Sequence, residues 1–244
     1  MIKKQSRLYR ASAAALLLSG FLMAEQPTTP TNFDEIVQKY IMDHPEVIMK
    51  SLTTYQAKIK QIAADRARQM VLAERDNLWN DPSSPFIGNS KGVTIVEFFD
   101  YRCGYCKKVS PTIAKLLETN PEIRVVFKEL PILGPESIIA AKASLAANKQ
   151  GAYMKFHDAL LATNDPVTMD WIDRTSASLG LDLAKLKSDM NSPEIDQAIL
   201  RNSQLAEKLQ VKATPTFIIG TETIAGAVDS DGLRSFIEAA SGTK

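Results

Sequence analysis

The stretch Val93-Thr94-Ile95-Val96-Glu97-Phe98-Phe99-Asp100-Tyr101-Arg102-Cys103-Gly104-Tyr105-Cys106 decides the fold of this chain. Residues 93–99 are mostly apolar and predict a buried β-strand, whereas apolar residues at helical spacing between 106 and 117 predict a helix. Cys103 and Cys106, the only two cysteines of the 244 residues, therefore lie where a strand passes into a helix N-terminus. Because backbone N–H groups and the helix macrodipole favour an anion there, the position favours a thiolate.

Two other uses of a cysteine pair fit the sequence less well. A structural disulfide across two intervening residues closes almost no loop, so it would constrain the unfolded chain very little. A zinc site needs a second ligand pair, and His44 and His157 lie far away without ligand spacing. We therefore expect thiol chemistry with no metal and no cofactor. His44 is expected to be a helix-entry residue, and His157 a packing or surface residue.

The N-terminus has the pattern of an export signal. Four basic residues within positions 3–10 precede a short apolar stretch at 11–23, and Ala24 is a small residue at a plausible cleavage point. About thirteen apolar residues are too few to span a bilayer. We expect residues 1–24 to be a signal peptide and the mature protein to be periplasmic, with contact to the outer membrane left open. Disulfides persist in that compartment, so a pair not needed for stability is expected to act on other proteins.

The charge of the chain argues against nucleic acid binding, and its length limits the number of domains. Removal of residues 1–24 takes away four basic residues and no acidic residue, which moves the formal charge from +1 to −3. Such a chain lacks the concentrated positive surface that nucleic acid binding requires, so no nucleic acid partner is expected. The remaining 220 residues are enough for one full core and a small additional domain.

Residues 25–79 predict a helical arm, followed by a linker at 80–91 that is rich in Pro, Ser, Asn and Gly. One helix starts at Pro45 and carries apolar residues alternately four and three apart, namely Ile48, Leu52, Tyr55, Ile59 and Ile62. That spacing is typical of a coiled-coil seam. The stripe could instead pack on the helix's own domain. We favour self-association, because an apolar stripe on a long helix must be buried somewhere.

Residues 92–244 predict a second, α/β domain. A strand at 123–130 follows the cysteine helix and completes a β-α-β unit. Helical patterns broken by Gly, Asn and Pro then fill residues 135–209. A hairpin at 216–225 and a last helix at 232–240 complete the order strand, helix, strand, helical block, hairpin, helix.

The chain resembles the DsbA branch of the thioredoxin superfamily, and within it the ScsC-like proteins that carry an N-terminal helical arm. The resemblance covers nearly all of the mature chain and rests on residues 98–106, Pro111, Thr214-Pro215-Thr216 and His44-Pro45-Glu46-Val47-Ile48. It implies an α/β thioredoxin fold with an inserted helical domain. It also implies a cis peptide bond before Pro215, which would face the sulfurs.

The resemblance and the position of each residue together suggest its role. Cys103, at the helix tip, is expected to be the attacking thiolate, and Cys106, one turn further in, to resolve the mixed disulfide. Thr214, Pro215 and Tyr105 are assigned to client binding, with backbone groups of Thr214 open to an extended client segment. Arg102, Lys107 and Lys108 add positive charge nearby and are expected to form a solvated face.

Glu97 and Lys128 are charged residues within predicted apolar strands. Because burying either charge alone would be costly, we expect them to pair. In the family that the chain resembles, such a pair lies beneath the disulfide, where the carboxylate helps to move the proton of the buried cysteine. The alternative is that one of them ends its strand and reaches water.

The sequence thus predicts an exported thiol–disulfide oxidoreductase that forms a homo-oligomer through its arm. Strongly oxidising relatives carry Pro-His between the cysteines, whereas Gly104-Tyr105 offers no imidazole to stabilise the thiolate, so isomerase activity is favoured over pure oxidase activity. Its partners would be exported, cysteine-containing client proteins and a membrane redox partner. Two rival functions are an exported oligomeric chaperone or scaffold, and a thiolate carrier for Cu(I).

Overall fold

A computed structural model describes residues 31–242 of the protein. The described residues form one five-stranded sheet with the strand order β1-β3-β2-β4-β5. Strands β2 and β3 are parallel, and the other neighbours are antiparallel. The strands are β1 (Phe86–Gly88), β2 (Val93–Phe99), β3 (Ile123–Glu129), β4 (Thr216–Ile219) and β5 (Glu222–Ala225). The four strands expected from the sequence are confirmed, and β1 lies within the predicted linker.

Ten helices occur in the same described part of the chain. They are α1 (Thr31–Asp43), α2 (Pro45–Ala73), α3 (Arg75–Trp79), α4 (Gly104–Thr119), α5 (Pro135–Asn148), α6 (Tyr153–Ala162), α7 (Met169–Ser178), α8 (Leu183–Met190), α9 (Pro193–Lys208) and α10 (Ser230–Ser241). Helix α4 connects the parallel strands β2 and β3, and helices α5 to α9 occupy the predicted insertion between β3 and β4. The fold class expected from the sequence, a thioredoxin fold with a helical insertion, is confirmed. Within residues 31–242, no helix is both long and apolar enough to cross a membrane.

The two faces of the sheet contribute to two separate hydrophobic clusters. Side chains alternate between the faces along each strand. One cluster includes Ile95, Phe99, Val125 and Phe127 together with the buried residues of α4, α5 and α6. The other includes Val96, Phe98, Val126 and Leu130 together with Val71, Leu78 and residues at the end of α9. Residues of odd number in β2 and β3 thus face the cysteine helix, and residues of even number face the opposite side.

The chain divides into two compact units, and the division falls between Ala57 and Lys58, within α2. The predicted arm at residues 25–79 spans this division, and its residues from Lys58 onward are grouped with the larger unit. The physical reason is burial, because Val71 and Leu78 are both buried in the second cluster of the sheet. The last turns of α2 and all of α3 therefore belong to the larger unit.

Candidate active site

Cys103 and Cys106 lie at the start of α4. Cys103 is the residue before the helix, with extended backbone angles (φ −76°, ψ 115°), and Cys106 lies in the first turn. The Cys103 carbonyl oxygen accepts a hydrogen bond from the Lys107 N–H at 3.1 Å. Both cysteines are free thiols, and they are 7% and 1% exposed respectively. Cys103 is thus the more accessible sulfur of the pair.

The segment before β4 brings Thr214 to the cysteine pair. Strand β4 runs antiparallel to β2 with Thr216 opposite Phe98, so the residues before β4 lie beside the end of β2. The thiol of Cys103 donates a hydrogen bond to the carbonyl oxygen of Thr214 at 3.1 Å. The Thr214–Pro215 peptide bond is cis, as the resemblance implied. Residues 111 positions apart are therefore in direct contact at the site.

Three of the side chains around Cys103 differ in their surroundings. Tyr105 is 66% exposed and projects from the first turn of α4. Arg102 forms an ion pair with Glu136 at 3.0 Å, and Lys107 Nζ donates to the carbonyl oxygen of Thr163. Burial, and next the charge of Arg102, lower the pKa of Lys107. Arg102 thus belongs to the exposed, solvated face that was expected, whereas Lys107 is half-buried and bound to one carbonyl oxygen.

Asp100 fixes the turn that leads to Cys103, a role that the sequence analysis missed. Its buried carboxylate accepts hydrogen bonds from the Arg102 N–H at 2.7 Å and the Ser137 hydroxyl at 2.8 Å. The other carboxylate oxygen accepts from the N–H groups of Ile132 and Leu133 at 2.8 and 3.0 Å. A charge buried to 1% exposure is thus fully satisfied. The available signal was a short acidic side chain directly after an apolar strand, a position typical of a turn.

Glu97 lies in β2 on the same face of the sheet as the cysteine helix. Burial raises its pKa to about 8. Burial is also the main reason that the pKa of Cys106 is raised, and the neighbouring charges of Glu97 and Cys103 raise it further. Cys106 is therefore a neutral thiol at pH 7, and it needs a proton acceptor before it can act as a nucleophile.

The expected ion pair between Glu97 and Lys128 is wrong. In the parallel register Glu97 lies opposite Phe127, and Lys128 lies opposite Phe98, so the two charged side chains project from opposite faces. Lys128 is completely buried, and its ammonium group donates to the Asn77 carbonyl oxygen, the Asp81 carboxylate and the Ser84 hydroxyl at 2.6, 3.2 and 2.7 Å. Lys128 thus anchors the segment after α3 instead of assisting the cysteines.

A second buried carboxyl, Glu129, lies on the cysteine side of the sheet. Its Oε1 accepts hydrogen bonds from the hydroxyl groups of Tyr101, Tyr153 and Ser144 at 3.0, 2.9 and 2.6 Å. Tyr101 Oη also lies 3.0 Å from Nδ1 of His157. Burial raises the pKa of Glu129 to about 8 and lowers that of His157 to about 3. The sequence analysis missed Glu129, although two adjacent charged residues in an apolar strand are a signal for buried polar contacts.

Comparison with protein families identifies the domain that carries the cysteines. The family model of the DSBA-like thioredoxin domain matches residues 94–238. The match begins in β2 and ends in α10, so it includes both cysteines, Glu97 and the cis Pro215.

Solved structures and curated proteins give further similarity. The chain is 38% identical to a thioredoxin-like oxidoreductase from Silicibacter pomeroyi, with a TM-score of 0.67 over 69% of this chain and 98% of the other. It is 26% identical to Proteus mirabilis ScsC in a transitional conformation, with a TM-score of 0.66 over 87% of this chain and 97% of the other. It is 30% identical to Na(+)/H(+) antiporter NhaA 3 of Salinispora tropica over 61% of this chain. The chain spans only 23% of that relative's length.

Proposed function

Because the chain belongs to the family of DSBA-like thioredoxin domains, we propose that it is an exported thiol–disulfide oxidoreductase acting through Cys103 and Cys106. The observation that carries the proposal is the contact between the Cys103 thiol and the Thr214 carbonyl oxygen at the N-terminus of α4. It places the more accessible sulfur beside a backbone group able to bind a client. The predicted signal peptide supports a periplasmic location and lies outside the described residues.

The two sulfurs exchange electrons with a client in two steps. In the isomerase direction the Cys103 thiolate attacks a client disulfide, which forms a mixed disulfide and releases one client sulfur as a thiolate. That thiolate can attack a second disulfide within the client and release a different client thiolate. The new thiolate then attacks the client sulfur of the mixed disulfide, which forms the rearranged client disulfide and releases the Cys103 thiolate. If the rearrangement stalls, Cys106 gives up its proton and attacks Cys103, which releases the reduced client and leaves the Cys103–Cys106 disulfide. In the oxidase direction the same steps run in reverse, and a membrane redox partner would restore the disulfide.

Glu97 is the proposed proton acceptor for Cys106. Its carboxyl is close enough to act on the charge state of Cys106, and a pKa of about 8 allows it both to take up and to release a proton near neutral pH. Lys128 has no part in this step, since it lies on the other face of the sheet.

The Thr214 backbone is the proposed docking edge for the client. In the free thiol form the Cys103 S–H occupies the Thr214 carbonyl oxygen. Once Cys103 is ionised or joined to a client sulfur, it has no proton to donate, so that oxygen becomes available to a client N–H. Backbone pairing of this kind binds extended segments without reading their sequence. The exposed ring of Tyr105 supplies an apolar surface beside the same sulfur.

We assign isomerase activity ahead of oxidase activity on two grounds. Gly104 and Tyr105 contribute no imidazole that would favour the reduced form, which supports a moderate reduction potential. In addition, the apolar residues of the predicted seam in α2 are all exposed in the single chain. An oligomer formed through them would hold several catalytic units around one client and raise the local concentration of active sites.

Substitution of each cysteine tests the catalytic proposal. We expect Cys103→Ser to abolish both insulin reduction and rescue of scrambled ribonuclease, and Cys106→Ser to accumulate mixed disulfides with clients. Suppression of aggregation of a cysteine-free client serves as the control, because a chaperone would retain it in both variants. Wild-type rates of disulfide exchange in correctly folded Cys103→Ser would refute the assignment.

A further inference from the structure

A line of buried hydrogen-bonding side chains connects Glu129 to His157. Tyr101 Oη lies 3.0 Å from both Glu129 Oε1 and His157 Nδ1. The His157 ring is enclosed by the rings of Phe99, Tyr101, Phe127 and Tyr153, with centroid distances of 4.6–5.5 Å. Because the imidazole is buried and its pKa is about 3, it stays neutral and carries its single proton on one ring nitrogen.

His157 and Glu97 line the same cavity. The cavity has a volume of about 30 Å³ and lies among β2, β3, α4 and α6, and its polar lining residues are Glu97, Ser110, His157 and Asp158. A cavity of this size has room for one water molecule, and its polar lining groups can hydrogen-bond to it. One water would be enough to bridge the carboxyl of Glu97 and the imidazole.

The hydrogen bonds indicate which of the two carboxyls, Glu97 or Glu129, holds the proton at the start of the reaction. Glu129 has three hydroxyl donors on one oxygen, an arrangement that favours an ionised carboxylate. Within residues 31–242, Glu97 has no side-chain hydrogen bond to another residue. Near pH 8, where the two carboxyls together carry about one negative charge, that charge thus rests on Glu129 and the proton on Glu97. Both groups have a pKa of about 8, so moving the proton between them costs little free energy.

We infer that Glu129 is a positioning residue of the reaction that receives the proton of Glu97 through His157 and Tyr101, leaving Glu97 ionised to accept the proton of Cys106. The inference rests on the proposed function, since it concerns the step in which Cys106 attacks the mixed disulfide. It makes Glu97 and Glu129 a pair that stores the released proton inside the protein.

The proton movements balance. Glu97 donates its proton to the cavity water, and the water donates one to Nε2 of His157. Nδ1 of His157 gives its proton to Tyr101 Oη, which gives its own proton to Glu129 Oε1. The imidazole changes tautomer and never becomes a cation. Glu97, now ionised, takes the Cys106 proton, and the Cys106 thiolate attacks the sulfur of Cys103 and displaces the client thiolate.

The groups that set the charge along this path come from every element packed against it. Glu129 faces hydroxyls from the turn before α4, from α5 and from α6, and Glu97 faces Cys106 of α4 and the lining of the cavity. The titratable and charged groups that face Glu129 are Tyr101, Tyr153 and Asp100, with His157 in contact with Tyr101. Those that face Glu97 are Cys106, His157 and Asp158.

Two tyrosines provide a matched pair of variants. Tyr101→Phe interrupts the path, whereas Tyr153→Phe removes a donor from the same oxygen of Glu129 and leaves the path intact. The resolving rate is measured from the decay of a mixed disulfide with a model peptide after acid quenching, at pH 5–9, in H₂O and D₂O.

We expect Tyr101→Phe to slow resolution about tenfold at pH 8, below the range of direct general-base catalysis, and to reduce the solvent isotope effect. Tyr153→Phe should stay within about threefold of the wild type and retain the isotope effect, because the proton path survives. Glu129→Gln, which keeps an acceptor oxygen but cannot hold the proton, should behave like Tyr101→Phe.

Alkylation of Cys103 reports separately on the proposed function. Its rate should be the same in all three variants, because none of them touches that sulfur. Equal resolving rates and equal isotope effects in Tyr101→Phe and Tyr153→Phe would overturn the inference and indicate that the proton leaves to solvent past Asp158. Disulfide exchange that persists in Cys103→Ser would instead overturn the proposed function, so the two failures are distinguishable.

Discussion

At the scale of single residues, the two cysteines differ because burial affects an ion more than a neutral group. Cys103 keeps some contact with solvent and donates to the Thr214 carbonyl oxygen. Cys106 is enclosed beside Glu97, and its pKa is raised chiefly by burial. The proposed roles of attacking sulfur and resolving sulfur follow from this difference in burial between the residue before α4 and a residue in its first turn.

Glu97 and Glu129 make the stability of the protein dependent on pH. Burial raises both pKa values from 4.5 to about 8, so the folded state binds protons that the unfolded state has released. The free energy of unfolding therefore falls as pH rises toward 8, by at most about 1.4 kcal/mol per pH unit for each group. The pKa of His157 is lowered to about 3, so below pH 6.5 the unfolded state binds a proton that the folded state lacks. His157 therefore makes the free energy of unfolding rise as the pH rises toward 6.5.

Replacement of either carboxyl should flatten this dependence. Between pH 6.5 and 8 the contribution of His157 fades, and it is the same in every variant. In this range Glu97→Gln and Glu129→Gln should each reduce the slope of the unfolding free energy by an amount that corresponds to up to one bound proton. The measurement is urea denaturation at closely spaced pH values. The double variant should lose both contributions, and a wild-type slope in Glu97→Gln would show that this carboxyl is ionised in the folded protein.

At the scale of elements, alternation along the strands decides which charges meet. Glu97 shares a face with Phe127, and Lys128 shares the other face with Phe98. A one-residue difference in position therefore separates two charged groups by the thickness of the sheet. The two charged groups therefore have different environments. Lys128 donates hydrogen bonds to α3 and the segment after it, whereas Glu97 lines the cavity beside α4.

Helix α3 should contribute to the stability of the catalytic unit. Leu78 is completely buried in the second cluster, so Leu78→Ala should lower the free energy of unfolding by about 2–5 kcal/mol. The matched control is Leu72→Ala, because Leu72 is 56% exposed and its loss should cost less than about 0.5 kcal/mol. If both substitutions had similarly small effects in urea unfolding, residues 58–79 would not be part of the folded core of the larger unit.

At the scale of the whole molecule, the exposed apolar seam of α2 favours association of several copies of the chain. Its apolar residues continue with alternating steps of four and three from residue 48 to residue 62. An exposed stripe of this length is typical of a helix that associates with other copies. Assembly would matter to function because it would multiply the active sites available to one client.

Charges placed in the seam should separate assembly from chemistry. We expect Ile48→Glu combined with Leu52→Glu to reduce the particle mass in solution to that of one chain. Rescue of scrambled ribonuclease should fall several-fold, while Cys103 alkylation stays unchanged, because avidity is lost and the site is not. Gln56→Glu, an exposed polar position of the same helix, is the control. A wild-type protein that sediments as a monomer at micromolar concentration would contradict the oligomeric proposal.

Local patterns determined the elements of this protein. The apolar run 93–99 and the helical spacing after Cys106 predicted β2 and α4, because strand and helix periodicity is a local property of the chain. The cis Pro215 segment beside the sulfurs was implied by the family resemblance and not by periodicity. The short strand β1 was missed, since three residues within a stretch of turn formers carry no periodic signal.

Long-range contacts were decided only by the tertiary structure. Which face of the sheet each charge occupies depends on the pairing of β2 with β3, and the partners of Asp100 and Glu129 come from helices distant in sequence. The same holds for the unit boundary within α2, which depends on what Val71 and Leu78 pack against. Burial and hydrogen-bond partnership are properties of neighbours in space, and the linear pattern of a single chain does not contain them.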